Sequence, residues 1–137
     1  MAKSYKPKGG NYISSTGIVH GSNHRLLSEL LNDTGWIEVQ LGTNITTFSW
    51  EKLAYRRIGD IVFIHGGISI PNGTTWQTVL ATGFPRPRQD TGFLCANNAT
   101  STYMNLILGN DGNLRFGTGN YSEYGTYVQL CYITKDL

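Results

Sequence analysis

Six residues concentrate the side chains of this sequence that could do chemistry. The stretch "GTGNYSEYGTY" places Asn120, Tyr121, Glu123 and Tyr124 in one Gly-rich loop, "NGTTWQ" puts Trp76 just after the turn signal Asn72-Gly73, and "TTFSWEK" carries Trp50. An aromatic ring can cover the apolar face of a sugar while neighbouring Asn and Glu groups bond its hydroxyls. These six are therefore candidate saccharide contacts. The plainer reading stands beside it: Tyr and Trp at strand ends also plug the open ends of a β-sandwich.

Other side chains offer less. Arg56 and Arg57 could meet an anionic phosphate, but a pairing with a carboxylate across strands or subunits is the simpler expectation. Trp36 is expected in the core or at a neck. His20, His24 and His65 have no Cys or acidic residue at ligand spacing, so no metal is expected. "NDGN" lacks the full calcium-loop pattern, which leaves Asp111 as a turn residue. Cys95 and Cys131 each sit in an apolar run and are expected as small buried hydrophobes. No nucleophile elbow, zinc-protease helix, phosphate loop or dinucleotide fingerprint is present, so neither an enzyme nor a cofactor is expected. A glycan hydrolase would need two carboxylates to meet in space, from among Glu38, Glu51, Asp60 and Glu123.

The elements that must position these residues are strands. The chain has 137 residues, 17 of them Gly and 8 Tyr, with only 15% charged. Its β-branched and aromatic residues gather in short runs, which points to a single all-β domain. Three of the eleven basic residues lie in the first eight positions, and the other eight face nine acidic ones. A nearly neutral body of this kind argues against a nucleic-acid partner. No apolar run approaches a membrane span, and "MAKSYKPKGG" has no apolar core of a signal peptide behind its charged start.

Residues 1–21 read as an arm or linker. "SNHRLLSELLND" has a capping Ser22 or Asn23 and a Leu26, Leu27, Leu30, Leu31 stripe, which predicts a short helix over 22–33. Residues 34–137 read as the strand domain: "WIEVQL", "LAYRRI", "IVFIHGGISI", "TWQTVLAT", "FLCANN", "TYMNLIL", "LRFG" and "TYVQLCYIT". Gly59-Asp60 suits a two-residue type II′ hairpin. Seven or eight strands with turn signals at this spacing predict an antiparallel β-sandwich or jelly roll. "IVFIHGGISI" and "TYVQLCYIT" are apolar on both faces, and a second wet face would be an exposed apolar patch. A partner subunit is one cover for it, and the arm or helix folded back is the other.

Taken in order, "TGWIEVQL", "YRRIGDIVFIHGGISI", "TVLATGFPRP", "LGNDGNLRF" and "TYVQLCYIT" resemble the C-terminal head domains of phage tail-fibre and receptor-binding proteins. The likeness is greatest to tailed phages of Gram-positive bacteria and spans about Thr34 to Thr134. It departs at the corner, where Thr-Gly-Phe-Pro-Arg-Pro stands for Leu-Pro-x-x-Tyr-Arg-Pro. The resemblance implies a β-sandwich head, preceded by the arm and short helix, that assembles as a homotrimer at the tail tip. It implies a non-catalytic protein of the virion, assembled in the host cytoplasm, that binds host cell-wall polysaccharide or teichoic acid and meets other tail proteins through its N-terminal part. A structural trimerisation module without host contact and a tail-associated depolymerase are the alternative roles.

Overall fold

The computed structural model describes residues 12–14, 17–19 and 32–136. Within the segment read as an arm, β1 (Tyr12–Ser14) and β2 (Gly17–Val19) pair as an antiparallel hairpin, which the sequence did not announce. The helix expected over 22–33 lies outside the described residues except at its end. There Asn32 is exposed coil and Asp33 already opens a strand.

Ten further strands form the head: β3 (Asp33–Glu38), β4 (Gln40–Leu41), β5 (Thr46–Thr47), β6 (Ala54–Ile58), β7 (Ile61–Ser69), β8 (Val79–Thr82), β9 (Thr91–Ala96), β10 (Tyr103–Leu108), β11 (Leu114–Gly119) and β12 (Thr126–Ile133). One sheet runs β12-β7-β6-β3, with β5 joining β7 beyond the end of β6, and the other runs β4-β8-β11-β10-β9. Every pairing is antiparallel. The described head is thus an all-β sandwich.

Its core follows the period of two. Val62, Ile64 and Ile68 of β7 and Val128 of β12 face Leu106 and Leu108 of β10, Leu114 of β11 and Leu80 of β8, all essentially inaccessible. Each such side chain contributes roughly 1.5–3 kcal/mol when buried. Gly59 takes φ of 59° and Ile58 pairs with Ile61, so the hairpin has the two-residue form the sequence predicted.

Two strand readings are corrected. "WIEVQL" is not one strand: Trp36 and Ile37 lie in β3 of the first sheet, Val39 carries the chain across, and Gln40 and Leu41 form β4 of the second. "TWQTVLAT" is a strand only from Val79, because Thr75 to Thr78 make a turn.

The second face of β7 and β12 is exposed in this chain. Register aligns Ile133, Cys131 and Tyr127 of β12 with Ile61, Phe63 and Gly67 of β7 on the side away from the core. Ile133 is 65% exposed and Ile61 44%. Trp36 joins this surface and does not enter the core, because its position in β3 pairs with Arg56 on that outer face, and it touches the His65 ring there. Cys131 is exposed for the same reason, whereas Cys95 is buried and its thiol is pushed up to about 11 by that burial.

Strand register also defines two ends. At the lower end lie the start of β3, the Gly59-Asp60 turn, loops 83–90 and 109–113, and residues 134–136, which Thr134, Lys135 and Phe84 tie together through main-chain bonds to Asp60, Arg86 and Gly112. At the upper end lie loops 42–53, 70–78, 97–102 and 120–125. The chain enters the head at the lower end, where Asp33 pairs with Ile58.

Candidate functional site

The upper end carries a groove of about 430 Å³ between loop 70–78 and the end of β11. Pro71, Asn72, Gly73, Thr74 and Trp76 form one wall, Thr118, Gly119 and Tyr121 the other, and Met104 and Phe116 the apolar floor. Two of the six candidate residues, Trp76 and Tyr121, thus meet on one concave surface. Trp76 is 68% exposed and Tyr121 49%, so neither ring is used to seal the core.

Local sequence explains how each ring is presented. Pro71 to Thr74 is a turn closed by the Thr74 amide on the Pro71 carbonyl at 3.3 Å, with Gly73 at φ 84°. A second turn follows, in which the Thr78 amide bonds the Thr75 carbonyl at 3.2 Å and Gln77 takes φ of 68°. That conformation suits glycine, and a side chain there costs roughly 1–3 kcal/mol. The Gln77 amide on the Phe116 carbonyl, at 2.8 Å, and the Phe116 amide on Thr78, at 2.9 Å, hold the turn against β11 with Trp76 at its tip.

Tyr121 is positioned from beneath by Asn97, a buried residue that sequence reasoning passed over. Its side-chain amide donates to the Asn120 carbonyl at 2.8 Å and to the Thr102 hydroxyl at 2.9 Å, and its oxygen accepts from Thr126 at 2.7 Å. The Asn120 amide in turn bonds the Tyr103 carbonyl at 3.1 Å. Asn120 therefore acts through its main chain as the pin of the loop. Tyr103, exposed beside it, is another ring that the sequence reading did not single out.

The remaining candidates stand elsewhere. Glu123 and Tyr124 are exposed in the same loop but do not line the groove. Trp50 lies apart from it: its ring stacks on Phe48 at 4.9 Å, and Phe48 meets Tyr127 edge-on at 5.4 Å. Phe48 is buried because Gly67 and Gly125 leave room for it; a Cβ on Gly67 would lie 2.0 Å from the Phe48 ring.

Four of the described arginines are occupied at the lower end. Arg56 donates to Asp33 at 2.9 Å, across strands as expected, and Arg57 to the carbonyls of Gly59, at 2.7 Å, and Asp136. Arg86 donates to Asp136 at 2.8 Å and Arg115 to Asp111 at 2.6 and 3.0 Å. The guanidinium groups of Arg56 and Arg115 hold the Asp33 and Asp111 carboxyls down at about 2, and that of Arg86 lowers Asp136. His65 meets Glu51 at 3.0 Å. His20 and His24 lie outside the described residues, and among those described no three His, Cys, Asp or Glu groups are placed to hold a metal.

Comparison with known proteins gives a fold and a distant relative. The crystal structure of the receptor binding protein (gp15) of Listeria phage PSA superimposes with a TM-score of 0.63 at 15% identity, covering 80% of this chain and 69% of that one. Among curated proteins, the uncharacterized protein YaiT of Salmonella typhimurium is 26% identical over 121 residues, 87% of this chain. The chain spans 12% of that relative's length. No protein-family model matches.

Proposed function

We propose that this chain is the head of a phage tail receptor-binding protein, homotrimeric and non-catalytic, which attaches the virion to polysaccharide or teichoic acid on the host cell surface. One observation carries the reading: Trp76 and Tyr121 face solvent across a groove at the end opposite to where the chain enters the head. A head joined to its fibre from below presents that end to the cell. The sandwich shared with the Listeria phage protein supports the same role.

Binding without turnover is supported by the lining of the groove, which includes no carboxylate, whereas glycoside cleavage requires two across the scissile bond. The trimer is supported by the outer face of β7 and β12, where Ile61, Phe63, Tyr127 and Ile133 form with Trp36 an apolar surface of the kind that soluble monomers rarely leave wet. Three weak sites on one axis, repeated over a virion, convert millimolar contacts into firm attachment, because linkage multiplies affinity by ~10² to 10⁴. The N-terminal part would join the head to other tail proteins.

The test is adsorption. A fluorescent fusion of the chain should decorate intact host cells and block phage attachment. A protein that sediments as a trimer yet labels no cell would be a structural cap, and one that releases reducing sugar from wall polysaccharide would be a depolymerase. A stable monomer at micromolar concentration removes the trimer.

A further inference from the structure

The groove's chemistry narrows the class of ligand. None of its eleven lining residues is Lys, Arg, His, Asp or Glu, loop 70–78 contains none of them, and loop 120–125 contains only Glu123, which does not line the groove. The nearest charges in sequence are Arg115, next to Phe116 but paired with Asp111 at the lower end, and the Glu123 anion two residues beyond Tyr121. Among the described residues, Arg56, Arg57, Arg86 and Arg115 pair with aspartates of the lower end, Lys52 pairs with Glu38 at 3.6 Å, and Lys135 lies in the lower-end segment 134–136. Arg88 sits on loop 83–90, also at the lower end. A phosphate or uronate seated between Trp76 and Tyr121 would lose hydration with no cation among the lining residues to replace it.

What the groove does offer suits an uncharged sugar. Two exposed rings flank it, and the floor of Met104 and Phe116 provides apolar surface for the C–H face of a pyranose or an acetyl methyl. The Asn72 amide and the Thr118 and Tyr121 hydroxyls bond no other described residue, leaving donors and acceptors for ring hydroxyls. Resting on the attachment reading, we infer that this groove takes a neutral pyranose unit of the receptor glycan and rejects its phosphorylated or acidic units. Where the receptor is a teichoic acid, the groove reads its uncharged glycosyl substituents and not the polyol-phosphate backbone.

The experiment is an NMR titration of the whole chain, following the Trp76 indole and the Tyr121 amide. Three probes are used separately: neutral hexose and N-acetylhexosamine oligosaccharides, poly(glycerol phosphate), and oligogalacturonate. Neutral oligosaccharide should shift both signals, with affinity changing less than about twofold between about 50 and 500 mM salt. Trp76→Ala should weaken it at least about tenfold, and Trp76→Phe should restore part of the loss. Both variants alter an exposed side chain, so folding is retained. Poly(glycerol phosphate) or oligogalacturonate shifting the same signals would overturn the neutral specificity and leave the attachment site standing. If no probe moves either signal, the groove is not the site and the specificity falls with it; cell labelling by the fusion then decides whether attachment survives elsewhere.

Discussion

The two ends of the sandwich are built from different chemistry. The lower end is laced with ion pairs: Arg56 with Asp33, Arg57 with Asp60, Arg86 with Asp136 and Arg115 with Asp111. The upper end has the exposed Lys52–Glu38 pair and the His65–Glu51 contact on loop 42–53, and is otherwise held by packing and neutral hydrogen bonds, with Phe48 set over Gly67 and Gly125 and Asn97 bonded to Thr102, Asn120 and Thr126. Paired charges satisfy one another and leave little for a ligand. Rings held at a rim by backbone pins leave one face open, which is why the proposed binding surface is at the end with fewer ion pairs.

That contrast can be broken in order of effect. Phe48→Ala should cost about 3–5 kcal/mol, because a buried ring is lost from the site that carries Trp50, and denaturant unfolding would report it. Asn97→Ala should cost about 1–3 kcal/mol by stranding buried polar groups, and should broaden the Tyr121 NMR signals more than those of the lower loops. Trp76→Ala should leave stability within about 0.5 kcal/mol while weakening saccharide binding, which separates presentation from folding. Arg115→Ala at the other end should cost less than about 1 kcal/mol and leave saccharide binding unchanged.

Acid supplies a further test. Asp33 and Asp111 sit at about 2 when folded against an ordinary 3.8, so the stability they add is present above 3.8 and lost as pH falls through about 2. Melting temperature should decline across that window, and Asp111→Asn should flatten the decline. Strong salt should reduce the difference between variant and parent, because these pairs are near the surface.

The strands that matter most were legible because their signals are local. Gly59-Asp60 carries its own backbone requirement, and the period of two in "IVFIHGG" separates Val62 and Ile64 from Ile61 and Phe63, although both faces are apolar and only the closed sheets show which of them enters the core. Long-range geometry hid the rest. "WIEVQL" alternates like one strand, yet it changes sheets at Val39, since the pattern is the same whichever sheet each half joins. Trp36 was expected in the core or at a neck, but large aromatics face either side of a sheet, and only its pairing with Arg56 places it outside. The short β1 and β2 hairpin has too few residues to show a period.

Among the six candidates, residue type and loop position pointed to rings at a strand end, and that much the sequence determined by itself, together with the all-β class. Which rings share a surface was decided by tertiary structure. Trp76 and Tyr121 meet because the turn at Gln77 is bonded to β11 while Asn97 draws in the loop that follows β11, and Trp50 is drawn away to Phe48. Composition limits what a surface can bind, but a site is a distance between residues far apart in the chain, and distance is set only when the sheets close.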